Sequence, residues 1–597
     1  MTLTENEFRV LVALATSRVS SQRNLSKRCG ISLGSTNSAY RALTQAGLAR
    51  DFTATERGLQ ALEPYRVENA VIMAAGLSSR FAPISYEKPK GLLKVRGDVL
   101  IERQIEQLQA AGIRDITVVV GYKKEYFFYL EDAYGVRIVV NADYASRNNN
   151  STLKVVERML GNTYICSSDD YFTENPFEPY VYHAYYAAQH AQGYTPEWCL
   201  EVAARDRIVG VTVGGADAWY MIGHAYFDRA FSRRFVEILD AEYDLPETAG
   251  KLWENLFVEH IDELDMRVRR YEPGTIFEFD SLDEVRAFDP HFLENLDSEV
   301  FDNIVRALGC AKDEICDVYP LKQGLTNLSC HFRTNDGAFV YRHPGVGTEN
   351  LIDRAAEHAA LVVARGLGLD DTFVCGDPVR GWKISRFVED AVPLNPHDDD
   401  QLALAMHVAA RLHAADARVE RTFDFYEEGK RYESLLETHG PIDVPGYHEM
   451  AEIARKVRAH AAADGARTCL AHNDFFHLNF LIDGKGKASL IDWEYAGMSD
   501  YANDFGTFVV CSSLSEDEAD RALEHYFGRT PTFAERRHNF AFVGLAGWCW
   551  YVWSLVKEAD GDFVGESLYL YYDYARRYLN RVLSWYEGEG AKEGGAQ

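Results

Sequence analysis

Along the first 66 residues, apolar positions recur at helical spacing, beginning with Phe8, Val10, Leu11 and Leu14. The string QRNLSKRCGISLGSTNSAYRALTQAGLAR then predicts a helix, a glycine-bearing turn and a second helix over Ser32–Ala46, stopped at Gly47-Leu48. From Val67 the period changes. ENAVIMAAG predicts a short buried strand ending in small residues, IERQIEQLQAAGI an amphipathic helix, and DITVVVGY and VRIVVNADY two further strands. Such alternation implies a mostly parallel sheet with ligands at the C-terminal ends of its strands. It runs to about Asp280. The stretch 281–300 is acidic and lacks a long apolar run, which places a domain boundary near 290. The pattern therefore divides the chain into 1–66, 67–290 and 291–597.

The longest apolar run, Phe540 to Val556, is broken by glycines and a serine. It falls short of the ~20 residues a bilayer requires and predicts a buried helix. Composition is that of globular protein: 597 residues, 47% hydrophobic and 26% charged. The net charge of -29 argues against nucleic acid or an anionic membrane as a partner of the whole chain. Residues 1–66 invert that balance, with nine Lys/Arg against five Asp/Glu. Ten cysteines with no CxxC pair exclude a disulfide scaffold and fit a reducing cytosol. The first residues lack a basic stretch leading into an apolar one, so the expected location is cytoplasmic.

The helical pattern of residues 1–66 resembles a winged helix-turn-helix with Ser32–Ala46 as recognition helix. That resemblance implies DNA as a partner; a protein-interaction or regulatory module is the alternative.

The chemistry of the middle segment begins at Ala74, Ala75 and Gly76, a small-residue turn directly after a strand. Backbone N–H groups at such a turn can cradle phosphates. Arg80, and Lys90 in EKPKGLLKV, add the cationic clamp a triphosphate requires. Together with VVVGYKKEYFFYLEDAYGV, YASRNNNSTL, TPEWCLEV and LWENLF, this turn resembles the sugar-phosphate-type nucleotidyltransferases. More narrowly it is similar to the bacterial CTP:phosphocholine cytidylyltransferases. Ser78 departs from that pattern, standing where a second glycine is usual and requiring a negative φ. The resemblance implies Lys90 as a catalytic cation, and Ala74, Ala75, Gly76, Arg80, Asn148 and Asn149 as nucleotide contacts. It assigns Mg²⁺ to Asp169 and Asp280, both at strand ends; Asp170 is expected to point away from Asp169. A quaternary ammonium is recognised by ring faces and a carboxylate. Trp198, Tyr226 and Trp253, with Glu254, occupy the matching positions.

Past residue 300 the decisive string is His472-Asn473-Asp474-Phe475-Phe476-His477-Leu478-Asn479, followed by Leu490-Ile491-Asp492-Trp493-Glu494. Its spacing has a mechanical reading: Asp474 accepts the proton of an attacking hydroxyl, while Asn479 and Asp492 hold Mg²⁺ on ATP. The string resembles the choline kinase and aminoglycoside phosphotransferase group, a bilobal α+β protein-kinase-like fold. The resemblance makes QGLTNLSCHF a phosphate-covering hairpin carrying Gly324, Thr326 and Asn327. It makes Arg342 the phosphate-binding cation, Glu357 its ion-pair partner, and WKISRFVED the hinge strand. Glu494, Trp550 and Trp553 are then substrate contacts, the two rings lying three apart on one helical face. Asp504 and Asp573 are read as structural salt-bridge partners.

The two chemistries are consecutive. Choline and ATP would give phosphocholine, and phosphocholine and CTP would give CDP-choline and pyrophosphate. Two alternatives stay open: the same reactions on ethanolamine or 2-aminoethylphosphonate, and a DNA-binding regulator whose catalytic-like domains sense metabolites.

Overall fold

The structure, a computed structural model, describes residues 2–321, 327–345, 352–561 and 563–588. It divides into two compact units, one of Met1–Val305 and one running mainly from Leu321 to the C-terminus. The first unit thus extends past 290. Arg96 explains why: its guanidinium lies 3.7 Å over the Phe288 ring and donates to the Phe288 carbonyl, while its N–H donates to Asp289 at 2.7 Å. The acidic stretch is stapled to the domain that precedes it.

Residues 1–66 build a small core of their own around Val10, Leu11, Leu25, Leu43 and Leu62. Helices Glu5–Thr16, Gln22–Cys29 and Leu33–Gln45 are capped by Thr4, Ser21 and Ser32, whose side chains accept the otherwise orphaned N–H groups. A hairpin of two-residue strands follows, Ala49–Arg50 against Thr53–Ala54, and its turn residue Phe52 stacks on Tyr40 at 5.0 Å. The module packs on the rest of its unit through Phe8, Tyr65 and Tyr182, whose centroids lie 5.1–5.2 Å apart.

The larger part of this unit is a nine-stranded mixed sheet. Its centre is parallel: Asn69–Ala74 lies between Thr163–Ser167 and Ile116–Val120, and Arg137–Val140 continues the order. Val and Ile dominate these strands because both faces are covered. Trp219–Phe227 joins antiparallel to Thr163–Ser167, and Tyr185–His190 pairs with Trp219–Phe227.

The second unit opens with a five-stranded antiparallel sheet, ordered Cys316–Pro320, Asn327–Thr334, Gly337–Pro344, Lys383–Arg386, Phe373–Gly376. Helix Arg354–Gly366 accompanies it. A larger helical core follows, centred on helix Phe533–Ala559. That helix alone among the described residues is long and apolar enough to cross a membrane, yet 83% of its most apolar stretch is buried inside the unit. Its neighbours approach at glycines. A Cβ built on Gly547 would lie 2.7 Å from the backbone nitrogen of Ala575, and one on Gly544 3.0 Å from that of Leu579. Only hydrogen fits between these backbones. Gly547→Leu is therefore expected to destabilise the second unit by about 1–3 kcal/mol or more. Urea unfolding followed by tryptophan fluorescence, with cytidylyl transfer assayed in parallel, checks this: the unit should loosen while the first unit's activity persists.

Candidate active sites

Strand Asn69–Ala74 ends where the parallel sheet opens, and a cleft of about 480 Å³ forms there. Ala74, Ala75, Gly76, Lys90, Asn148, Asn149 and Asp169 line it. Ser78 takes a left-handed φ of 50°, not the negative φ required of it above. The turn keeps the backbone geometry a glycine favours, at the steric cost of a Cβ. Lys90 is buried, and its Nζ lies 2.5 Å from Asp169 Oδ2. Burial works against its charge but is outweighed by Asp169, Glu278 and Asp280. Arg80 is exposed at 3.0 Å from Asp280, and neither lines the cleft.

Asp170 opens strand Asp170–Phe172 and sits opposite Glu278 in register. It is fully buried, and neither carboxylate oxygen has a hydrogen-bond partner among the described residues. Burial, Glu278 and Asp169 push its proton affinity well up, and Glu278 is raised by burial and Asp169 in turn. Four carboxylates thus gather around two cations. The orphaned Asp170 oxygens and the neighbouring carboxylates are hard oxygen donors of the kind a divalent metal ion takes.

Glu254 lies beside this cleft. It is buried, accepts from Asn149 Nδ2 and from the Tyr186 hydroxyl, each at 3.2 Å, and burial raises it to about 7. The rings expected to form one cage with Glu254 do not gather on one face. Strand Trp219–Phe227 alternates, sending Phe227 to the Trp253 face of the sheet and Tyr226 to the other, among Tyr164, Tyr185 and His224. Tyr226 is 0% exposed and cannot share a pocket with Trp253. Trp253, 1% exposed, packs against Phe227 and Phe235 and backs Tyr186 at 5.7 Å. Trp198 remains half-buried on that same face. Tyr186, which sequence reasoning missed, is the ring bonded to the acid. Nothing in YHAYYAAQH distinguishes it from Tyr185 without the register.

In the second unit a cavity of about 780 Å³ is lined by Asn327, Arg342, Asp474, Asp492, Glu494, Trp550 and Trp553. Asn479 Nδ2 donates to Asp474 Oδ2 at 2.9 Å. Burial and Asp492 raise Asp474 to about 8, against the Asn479 bond. Arg342 is buried, 2.6 Å from Glu357 and 3.6 Å from Asp492. Glu357 stands behind the cavity, also paired with Arg354 at 3.1 Å and Lys383 at 3.2 Å. These cations hold its carboxyl far below the usual range despite burial. Asn327 donates to Glu494 at 2.8 Å. Gly324 and Thr326 lie outside the described residues. Trp550 and Trp553 meet edge-on at 6.2 Å, and Tyr495 meets Trp550 at 6.0 Å. Asp474, Asp492 and Glu494 all line this cavity, a carboxylate surplus of the kind a divalent metal ion takes.

Residues 70–174 match the MobA-like NTP transferase domain family, and residues 317–539 the phosphotransferase enzyme family. The choline-phosphate cytidylyltransferase of Streptococcus pneumoniae is 35% identical over 217 residues, 36% of this chain and 95% of that protein. The chain belongs to the choline-phosphate cytidylyltransferase family. The 2-aminoethylphosphonate cytidylyltransferase of Lancefieldella rimae is 36% identical over 225 residues, 37% of this chain and 92% of that protein. Choline kinase LicA from Streptococcus pneumoniae, a solved structure, is 25% identical and covers 47% of this chain and 97% of its own, with a TM-score of 0.41. The chain is a fusion of a cytidylyltransferase domain with a phosphotransferase-family kinase domain.

Lys383 escaped sequence reasoning, while Asp504 pairs with His413 as its reading as a structural salt-bridge partner expects, and does more besides. Lys383, read only as part of a hinge strand, lines the cavity and braces Glu357. Asp504, read as a structural partner, is fully buried and accepts the backbone N–H groups of His472 at 3.0 Å and Asn473 at 2.7 Å, with His413 Nε2 at 2.9 Å. It holds the segment leading into Asp474, where Asn473 takes a left-handed φ of 66°. Asp504→Ala would orphan two buried donors, each worth roughly 1–3 kcal/mol. The expected result is a fall in ATP-dependent turnover of roughly tenfold or more, measured by ADP release, with cytidylyl transfer unchanged.

Proposed function

We propose that the chain makes CDP-choline in two steps: the kinase domain phosphorylates choline with ATP, and the cytidylyltransferase domain joins phosphocholine to CMP from CTP. The observation that carries this reading is the kinase cavity, where Tyr495, Trp550 and Trp553 stand beside the buried Glu494; the cytidylyltransferase cleft adds a buried carboxylate, Glu254, bonded to the Tyr186 ring. Ring faces and a carboxylate are the two elements a trimethylammonium group needs, since its nitrogen offers no N–H to donate.

In the first step the choline hydroxyl oxygen bonds to the γ-phosphorus as the bond to the ADP oxygen breaks. Asp474 takes the hydroxyl proton, its proton affinity raised by burial and by Asp492. Arg342 is braced by Glu357 to meet the phosphates, while Trp550, Trp553 and Tyr495 face the ammonium. In the second step a phosphocholine oxygen attacks the α-phosphorus of CTP and pyrophosphate leaves. Backbone N–H groups at Ala75–Gly76, with Lys90, hold the triphosphate and its developing charge. Mg²⁺, the ion this reading assigns to Asp169 with Asp280 and to Asn479 with Asp492, neutralises phosphate charge when bound. The cytoplasm, where both triphosphates are made, is the assigned compartment. DNA binding by residues 1–66 is a separate reading, supported by their excess of cations and tested by a gel shift at low salt.

A second substrate is favoured by one observation in the cytidylyltransferase domain. With Tyr226 on the opposite face and Trp253 stacked behind Tyr186, Tyr186 and Trp198 are left to supply ring faces, while Glu254 is well placed to accept N–H groups. A primary ammonium, as in 2-aminoethylphosphonate, suits such a pocket. A phosphorus NMR time course with choline, ATP, CTP and Mg²⁺, and parallel tubes of ethanolamine and 2-aminoethylphosphonate, separates the readings. Phosphocholine should rise and give way to CDP-choline, Asp474→Ala should stop the first step, and Asp169→Ala the second. Turnover confined to the other amines would overturn choline as substrate.

Glu254 gives the second step a pH signature. Its raised carboxyl, about 7, is anionic above that value and neutral below it. The kcat/KM for the cationic substrate should therefore rise from pH 6 to pH 8, and Glu254→Gln should both lower it, by roughly tenfold, and flatten the difference.

A further inference from the structure

A second cavity, of about 790 Å³, lies in the first unit and shares no lining residue with the glycine-turn cleft. One wall is helix Glu5–Thr16 with the end of helix Gln22–Cys29, and the other is strand Arg267–Arg270 with the segment 180–183. It therefore sits between the N-terminal module and the edge of the catalytic sheet.

Its charge is unusual for a chain this acidic. Five arginines line it, Arg9, Arg28, Arg267, Arg269 and Arg270, against three acids. All three acids are engaged: Glu5 is shared by Arg9 at 2.7 Å and Arg267 at 3.4 Å, Glu178 faces Arg269 at 2.8 Å, and Asp206 faces Arg270 at 2.6 Å. Arg28 bonds the Ser17 hydroxyl at 3.1 Å and has no acid within ion-pair reach among the described residues. Two positive charges are left over. His183 in the same wall is held below the ordinary histidine range by burial and by Arg267. Gathering like charges around open space is unfavourable unless an anion enters. Phe8, Tyr182 and Tyr185 add ring faces, and the volume lies in the range of about 300–1,000 Å³ typical of small-molecule sites.

We infer that this cavity is a regulatory site for a small phosphate-bearing anion of nucleotide size, gripped by Arg28 and strand Arg267–Arg270. Guanidinium forks match phosphate oxygens in pairs, and a doubly charged phosphate balances the surplus. The occupant would bridge the N-terminal module to a strand that lies parallel to Tyr185–His190. Through Trp219–Phe227 that strand connects to Thr163–Ser167, two residues before Asp169. Occupancy is thus linked to the catalytic sheet and to the docking of the module at once.

The test is hydrogen–deuterium exchange on the full chain with millimolar CMP, CDP-choline or inorganic phosphate as probes. At least one probe should slow exchange in peptides covering 5–16 and 265–271, separately from any protection at 74–80. Protection by inorganic phosphate alone would assign the grip to the phosphate, and protection only by the cytidine compounds would assign it to the nucleotide. Arg28→Glu, at an exposed position, should weaken protection at 5–16 and 265–271 by roughly tenfold, and Arg28→Gln by less. Basal cytidylyl transfer and protection at 74–80 should be unchanged by both. Protection confined to 74–80, no protection by any probe, or protection indifferent to Arg28→Glu would overturn the inference.

Discussion

Buried negative charge is the constraint on which both catalytic domains depend. A carboxylate out of water must be paired, bonded or protonated. The kinase domain uses all three solutions within one neighbourhood. Glu357 is paired by Arg342, Arg354 and Lys383 and stays ionised. Asp504 is bonded by two backbone N–H groups and His413. Asp474, with one side-chain amide and no ion-pair cation among the described residues, is raised to about 8. These roles follow from partners rather than residue type, since all three are simple acids. The cytidylyltransferase domain repeats the division: Asp169 shares the buried Lys90, whereas Asp170 has no hydrogen-bond partner among the described residues and is pushed up.

Rigid backbone makes those differences useful. The parallel strands end together, so the glycine turn after Ala74 and the acids after Ser167 converge although nearly a hundred residues separate them. In the kinase domain, glycines at positions 544 and 547 let the long apolar helix approach its neighbour closely, which sets Trp550 and Trp553 against the cavity. A site is precise when its supports cannot slide, and close-packed helices and paired strands do not slide cheaply.

What could be read from residues alone follows the same physics. Asp474, Asn479 and Asp492 lie within one short string, and their spacing carries their roles, so the string was legible before any fold was known. The glycine turn with Lys90 was legible for the same reason. Tyr226 was misplaced because a strand residue's face depends on register, and residues 226 and 227 point to opposite cores. Tyr186 was missed because its partner Glu254 lies 68 residues away. The domain boundary was drawn early because acidic composition hides the Arg96 staple to Phe288 and Asp289. Lys383 was invisible since its role depends on a carboxylate from another element. Local chemistry is written in sequence, whereas pairing across elements is not.

Substrate choice follows from the same pairing. Trimethylammonium is held by surfaces, primary ammonium by directed acceptors. In the kinase cavity three rings stand edge to face, Tyr495 and Trp553 each against Trp550, beside Asp474, Asp492 and Glu494. In the cytidylyltransferase domain the balance is reversed, with one acid bonded to one ring. The two sites thus differ in the balance of ring faces and carboxylates they offer. A methyl group removed from the nitrogen weakens the ring-lined site through lost contact area, while it gives Glu254 a new N–H to accept.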